Sequence, residues 1–168
     1  MANAQSPILE ARNITKRFPG VVALNDVSIQ FLPGEVHAVV GENGAGKSTL
    51  MKILAGAYTP DEGELFFQGR PISFKHPREA QEAGISIIYQ EFNLLPERTV
   101  AQNIFLGREP SRYGVIDQRQ LMRQTQEVLQ RIGAETMISP DAEVKTLSIA
   151  EQQLVEIAKA LSFDSKVL

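Results

Sequence analysis

The sequence has 168 residues, 43% hydrophobic and 22% charged, an ordinary globular composition with enough apolar residues for one domain with a core. Its formal net charge of −3 excludes the broad basic face that binds nucleic acid through many phosphate contacts, so no nucleic-acid partner is expected. There is no Cys, which excludes disulfides, thiolate zinc sites and Cys nucleophiles, and the two His, His37 and His76, are too scattered for a metal site.

The sequence contains no candidate for a membrane span or a secretion signal. No apolar run approaches the roughly 20 residues that cross a bilayer. The first seven residues lack the charged-then-apolar pattern of a signal peptide. We therefore expect a chain of cytoplasmic character, which works at a membrane only by docking to another polypeptide.

The first third of the chain is predicted to form strands joined by tight turns. Residues 8–14 and 27–31 have strand-like patterns, and a Pro-Gly turn at 33–34 leads into the apolar run 36–40. After it, the predicted elements are a helix over about residues 47–55, a break at 58–63, a strand at 64–68 and a turn at 69–71.

Residues 41–49 carry the most informative pattern, a Gly followed by four residues and then Gly-Lys-Ser. This pattern, placed between a strand and a helix, is typical of a phosphate-binding loop. Gly44 and Gly46 allow backbone conformations in which consecutive N–H groups converge on phosphate oxygens. Lys47 supplies a charge to the β- and γ-phosphates, and Ser48 supplies a hydroxyl to Mg²⁺. The predicted ATP-binding residues here are Gly41, Glu42, Asn43, Gly44, Ala45, Gly46, Lys47, Ser48 and Thr49.

Beyond the loop the pattern alternates and then becomes helical. A short helix is predicted at about Pro77–Ala83, ended by Gly84, and residues 85–89 read as a buried strand rich in β-branched side chains. Helical signals then run from 100 to 161, with one helix between the N-cap Asp117 and Gly133 and another over about 149–162. The sequence therefore predicts an α/β core with a parallel sheet and an inserted helical subdomain.

Three further segments resemble the nucleotide-binding domains of ATP-binding cassette (ABC) transporters. Residues 87–91 are similar to the end of the strand that carries the family's Q-loop glutamine, here Gln90. Residues 147–153 are similar to its signature motif. Phe18 lies where the family stacks an aromatic ring on adenine, a contact typically worth about 1–3 kcal/mol. Together with the phosphate loop, these segments cover nearly the whole chain.

The resemblance implies a fold, a set of ligands and further site residues. The fold is that of a P-loop NTPase, in which an N-terminal antiparallel β-subdomain and the P-loop core together occupy about residues 1–90 and an inserted helical subdomain occupies about 91–162. Gln90 is implied as a ligand of Mg²⁺ or of the attacking water, so the ligands are ATP and Mg²⁺. The signature segment of one subunit would contact the ATP bound by another through Ser148, Ile149, Ala150 and Glu151.

The signature segment departs from the family's usual Leu-Ser-Gly-Gly-Gln. Ile149 and Ala150 replace two glycines and Glu151 replaces Gln, so Cβ atoms and a negative charge face the expected phosphate position. A local interpretation also exists, because Ser148 and Glu151 have the spacing of a capping box at a helix start. The sequence leaves open whether the contact to a second subunit is weakened or adequate.

The closest likeness within the family is to importers of monosaccharides such as ribose, galactose or arabinose. Residues 18–24, 41–49, 91–96, 103–109 and 155–161 resemble that branch. The implied parent is an ATPase subunit peripheral to the cytoplasmic face of the membrane. Its implied partners are permease subunits, which would dock to residues 91–97 after Gln90, a second nucleotide-binding domain, and indirectly a periplasmic sugar-binding protein.

The family's Asp-Glu strand, which supplies the catalytic Glu, has no counterpart in this chain. Residues 163–168 are interpreted as the start of that strand, and Asp164 is rejected as its Asp because Ser162 interrupts the apolar run before it and Ser165, not Glu, follows it. We therefore expect a fold truncated before the Walker B strand, with no catalytic residue within the chain and no ATP turnover by the 168 residues alone. Alternative functions are a soluble ABC ATPase of DNA repair or translation, a P-loop kinase of a small metabolite, and a non-catalytic nucleotide-binding module.

Overall fold

A computed structural model of the protein describes residues 6–168, which form two compact units. One unit contains the residues up to Ile85 together with Val167, and the other contains Ser86–Lys166 together with Leu168. The predicted division into subdomains near residues 90 and 162 stays a prediction.

An antiparallel sheet dominates the first unit, as the family resemblance implies. The elements of this unit in chain order are β1 (Leu9–Phe18), β2 (Val21–Phe31), α1 (Lys47–Leu54), β3 (Glu62–Phe67), β4 (Arg70–Ile72) and α2 (Pro77–Ala83). Among the described residues the spatial strand order is β2, β1, β3, β4, and every neighbouring pair is antiparallel. The parallel sheet that the alternation of strands and helices predicts is not formed in this part of the chain.

The core of this unit lies between the sheet and its helices. Leu9 and Leu65 point from neighbouring strands into the same cluster as Ile53 of α1 and Ala80 of α2. All four side chains are buried. Burial of this apolar area is the main force that holds α1, and with it the loop that precedes α1, against the sheet.

The predicted strands at 36–40 and 85–89 are not formed as strands in the described part of the chain. Residues 36–40 have no ladder partner there, and Val40 is 87% exposed. Ile85 makes only an isolated parallel bridge to Val167, whose N–H donates to the Gly84 carbonyl oxygen at 3.1 Å. A strand exists only where its backbone groups pair with a neighbour, so an apolar, β-branched run is not sufficient.

The predicted turn at 69–71 is in fact the start of a hairpin. Gln68 and Gly69, at φ of 52° and 74°, form the two-residue turn, and Arg70 and Pro71 already belong to β4. Two consecutive positive φ values match the twist of the flanking strands, which is why such turns close hairpins. Pro71 is tolerated because β4 lies at the edge of the sheet.

The second unit is mostly helical, in agreement with the prediction for residues 100–161. Its elements are α3 (Val100–Ile104), β5 (Ser111–Arg112), β6 (Val115–Ile116), α4 (Gln118–Arg131), a 3₁₀ turn (Val144–Thr146) and α5 (Ile149–Leu161). The sequence predicts α4 and α5 individually, and at the start of α4 the Asp117 carboxylate accepts the Gln120 N–H at 3.0 Å. The sequence does not single out the short helix α3 or the hairpin that follows it.

Asn103 on α3 organises the loop that precedes this helix. Its side chain is fully buried. Its Oδ1 accepts the Leu95 N–H at 2.7 Å, and its Nδ2 donates to the carbonyl oxygens of Leu95 and Thr99, both at 3.0 Å, and of Arg98 at 3.3 Å. The Asn103 amide therefore binds four backbone groups of residues 95–99. An apolar side chain could not replace it, because such a side chain has no hydrogen-bond donor or acceptor.

We expect Asn103→Ala to lower the free energy of unfolding by about 1–3 kcal/mol, because it leaves a cavity at a fully buried position and removes the acceptor of the Leu95 N–H. Urea unfolding of the complete polypeptide, followed by circular dichroism, measures the change. The control is Gln130→Ala, an exposed position on α4. Equal stabilities of the two variants would contradict the role given to Asn103.

Candidate phosphate-binding loop and signature segment

The loop at 41–46 takes the backbone conformation that its glycines predict. Gly44 and Gly46 have φ of 84° and 85°, in the left-handed region that side chains with a Cβ disfavour. The chain turns tightly over residues 42–45, where the Ala45 N–H donates to the Glu42 carbonyl oxygen at 3.2 Å. Gly46 is the N-cap of α1, and its carbonyl oxygen accepts the Leu50 N–H at 2.9 Å.

The two glycines meet different surroundings. A Cβ on Gly46 would overlap the carbonyl oxygen of Ala23 and lie 2.8 Å from Cδ2 of Leu24, both on β2. A Cβ on Gly44 would meet no heavy atom of the described chain within 4 Å. Gly46 is therefore required for packing against the sheet, whereas Gly44 leaves the outer face of the loop open for the close approach of an anion.

Lys47 folds back over this loop. Its Nζ donates to the carbonyl oxygens of Gly41 at 2.7 Å and of Glu42 at 2.8 Å. These two bonds hold the ammonium group at the mouth of the loop, beside the first turn of α1, where the helix dipole is positive. Three features that favour a bound polyphosphate therefore lie close together: the glycine backbone of the loop, the Lys47 ammonium group and the N-terminus of α1. The Ser48 side chain next to them is exposed.

Phe18, at the end of β1, is half-buried in an aromatic pair that the sequence did not reveal. Its ring meets Tyr58 edge to face, with centroids 5.4 Å apart. Lys16 Nζ lies 5.6 Å from the Phe18 centroid, and Lys52 Nζ lies 5.4 Å from that of Tyr58. Lys16 is also paired with Asp61 at 2.8 Å, and hydrogen bonds from Lys16 and from the Arg17 N–H lower the pKa of Asp61.

Gln90 belongs to the second unit, where it is exposed in a bend. The residues before it do not pair as a strand, so its predicted place at the end of a buried strand is wrong for the described chain. Its role as a ligand of Mg²⁺ or of water stays a prediction. The described residues contain no cluster of three or more His, Asp or Glu side chains, but Mg²⁺ usually needs only one or two protein oxygens beside substrate phosphates.

The signature segment forms the capping box that the spacing predicts. Ser148 is the N-cap of α5, and its Oγ accepts the Glu151 N–H at 3.3 Å. One carboxylate oxygen of Glu151 accepts both the Ser148 N–H at 2.7 Å and the Ser148 hydroxyl at 2.6 Å. These hydrogen bonds lower the pKa of Glu151, so its carboxylate stays charged at a lower pH than that of an ordinary Glu side chain. Ile149 and Ala150 are exposed beside it.

A second charged group lies just ahead of this helix. Lys145 contacts Glu97 at 2.6 Å and Glu143 at 2.8 Å. The hydrogen bonds that Lys145 donates to Glu143, and to a smaller extent to Glu97, raise the pKa of Lys145. Lys145 therefore stays protonated throughout the physiological range, and it connects the residues before Ser148 with the segment at 91–97.

Comparison with known proteins agrees with this geometry. The family model described as ABC transporter matches residues 24–168. The chain is 56% identical over 162 residues to "Ribose import ATP-binding protein RbsA 1" of Rubrobacter xylanophilus, covering 96% of this chain. It is 52% identical over 168 residues to "Putative ribose/galactose/methyl galactoside import ATP-binding protein 2" of Burkholderia lata, covering 99%. It spans only 32% of the length of each relative.

Solved structures give the same likeness in three dimensions. The ADP conformation of MJ1267, an ATP-binding cassette of an ABC transporter, matches with a TM-score of 0.81 and 29% identity, covering 96% of this chain and 66% of that one. The dimeric structure of MJ0796, a bacterial ABC transporter cassette, matches with a TM-score of 0.75 and 25% identity, covering 94% and 70%. Within residues 6–168, no helix has the length and apolar character needed to span a membrane.

We expect Gly46→Ala to destabilise the protein more than Gly44→Ala, although both residues have nearly the same φ. Left-handed backbone costs roughly 1–2 kcal/mol in both variants, and only Gly46→Ala adds a clash with β2. Chemical denaturation of the complete polypeptide measures the difference. Equal losses would contradict the close approach of the loop to Ala23.

Proposed function

Because this chain belongs to the ABC transporter family, we propose that it is the nucleotide-binding part of an ATPase subunit that powers import of a small sugar. The observation that carries the proposal is the loop at 41–46, in which open backbone, the Lys47 ammonium group and the start of α1 meet. The identity to sugar-import ATP-binding proteins supports the substrate class. The sugar, the permease and the rest of the parent protein belong to the proposal, since the match spans about a third of those relatives.

ATP is the proposed ligand of the loop. Backbone N–H groups of residues 41–49 and Lys47 bind its phosphates, and the Phe18 ring supports the adenine. Ser48 and Gln90 are the proposed ligands of Mg²⁺. Bound there, Mg²⁺ would neutralise phosphate charge and orient the γ-phosphate. For Lys47 this requires an exchange of partners, because its ammonium group now donates to the carbonyl oxygens of Gly41 and Glu42. A phosphate offers the ammonium group negatively charged acceptors in place of these neutral carbonyl oxygens.

The working cycle needs two cassettes and a permease. ATP brings the signature segment of a second cassette against the bound triphosphate, hydrolysis releases it, and the movement reaches the permease through the segment at 91–97. This proposal is supported by the exposed apolar side chains of Phe92 and Leu95 in that segment. The permease holds the parent protein at the cytoplasmic face of the membrane.

We propose that Glu151 weakens the contact between the signature segment and ATP. The Ser148 hydroxyl and N–H, which would donate to a phosphate, already donate to the Glu151 carboxylate. An internal anion therefore occupies the helix N-terminus where the γ-phosphate of another subunit would bind. ATP has to compete with this carboxylate and is repelled by its charge.

We expect Lys47→Ala in the complete polypeptide to weaken Mg·ATP binding by about ten- to a hundredfold, the equivalent of one or two charge-assisted hydrogen bonds. Isothermal titration calorimetry measures the affinity. Lys52→Ala, on the same helix but beside Tyr58, serves as the control and keeps its affinity. Undiminished binding by Lys47→Ala would remove the basis of the proposed function.

We expect the combined change Ile149→Gly, Ala150→Gly and Glu151→Gln to raise ATPase turnover in the complete polypeptide, by up to about fivefold for the loss of one repulsive charge. Glu151→Gln alone keeps an oxygen for the capping box and isolates the effect of the charge. Steady-state phosphate release measures the turnover, with Glu127→Gln on α4 as a control. No gain in either signature variant would mean that Glu151 does not oppose the contact.

A further inference from the structure

The helix that begins at the signature segment also holds the segment at 91–97, which we name the docking segment. We infer that Glu156 and Lys159 of α5 are positioning residues, which make the docking segment move together with the signature segment. This inference rests on the proposed function and adds a physical connection between the two ends of the cycle.

The connection is a two-point contact with the backbone of one residue. A carboxylate oxygen of Glu156 accepts the Asn93 N–H at 2.6 Å. Lys159 Nζ donates to the Asn93 carbonyl oxygen at 3.0 Å. Glu156 and Lys159 are three residues apart and so lie on the same face of α5. An acceptor and a donor from one helix therefore bind the donor and the acceptor of one loop residue, which fixes both its distance from α5 and its orientation.

A second contact joins the end of the docking segment to the residues just before α5. The Lys145 N–H donates to the Pro96 carbonyl oxygen at 3.0 Å, and the Val144 N–H donates to the Arg98 carbonyl oxygen at 3.1 Å. An antiparallel bridge between Thr99 and Glu143 continues this pairing. The docking segment is thus attached at Asn93 to the body of α5 and at Pro96 to the chain that leads into Ser148.

The body of α5 is built to transmit a displacement. Its 13 residues continue without interruption from the Ser148 cap, and Val155 and Ala158 are buried in the core of the second unit. Glu156 lies about 12 Å along the axis from Ser148 at 1.5 Å per residue. A packed helix of this length does not absorb a shift at its end, so a pull on Ser148 reaches Asn93.

The side chains of Phe92 and Leu95 are left for a partner, because the backbone of the docking segment carries these attachments. Phe92 and Leu95, on either side of Asn93 and Leu94, are 41% and 43% exposed. The contacts from α5 reach the main chain of Asn93 rather than these side chains. An apolar surface held in this way keeps its orientation while it remains available to the permease.

The test compares substitutions that keep or remove the hydrogen-bonding atoms, in the complete polypeptide assembled with its permease. Glu156→Met and Lys159→Met fill the same space without an acceptor or a donor, whereas Glu156→Gln and Lys159→Arg retain one. We expect the Met variants to hydrolyse ATP at the wild-type rate but to import less sugar per ATP, by between about twofold and about thirtyfold. The Gln and Arg variants should recover most of the coupling.

The controls separate this effect from a loss of structure. Glu127→Met and Arg123→Met remove an exposed pair from α4 and should leave the ratio of import to hydrolysis unchanged. Thermal unfolding of every variant shows whether the fold is retained. Parallel loss of import and hydrolysis in folded Met variants, or an unchanged ratio, would overturn the inference. Equal defects in the Met and the Gln or Arg variants would overturn it too.

Hydrogen exchange in the complete polypeptide distinguishes failure of the inference from failure of the proposed function. Without the permease, addition of ATP should change the protection of amides 93–95 in the wild-type protein and not in the Met variants. If the wild-type complex imports no sugar, the proposed function fails, and the exchange result alone then decides whether α5 controls the docking segment. An ATP response that persists in both Met variants overturns the inference.

Discussion

The close approach between Gly46 and the Ala23 carbonyl is the constraint on which the rest of the first unit depends. It allows the phosphate loop to lie against β2 without an intervening side chain and fixes where α1 begins. The direction of α1 in turn places Lys47 over the loop. The antiparallel sheet therefore acts as the support for the candidate anion site, and the apolar core beneath α1 holds the two together.

In the second unit, the main structural requirement is to hold the irregular backbone of residues 91–99 in one position. Residues 91–99 form no long regular element, yet buried Asn103, the residues at 143–145 and the polar face of α5 all bind their main-chain groups. Each of these contacts satisfies a donor or an acceptor that would otherwise need water. Order in this stretch comes from groups outside it, both side chains and main chain, and its shape therefore follows the elements around it.

The features that the sequence predicted correctly depend on short-range interactions. The phosphate loop, the Ser148 cap and the helix after Asp117 depend on residues within a few positions of each other, and all three have the expected backbone. The apolar runs at 36–40 and 85–89 were wrong as strands because pairing depends on a neighbour that spacing does not identify. The contacts of Tyr58 and Asn103 were missed for the same reason, and Glu156 and Lys159 carry no signal that separates them from an ordinary solvent-facing pair.

The main-chain attachment of Asn93 has a consequence for evolution. Any residue except Pro at position 93 offers the N–H and the carbonyl that Glu156 and Lys159 bind, so the attachment does not depend on which exposed side chains stand at 92, 93 and 95. Under the proposed function, such a scaffold would be able to diverge toward different membrane components through changes in a few outward-facing side chains. The main chain that would transmit force and the side chains that would select a partner would then be under separate selection.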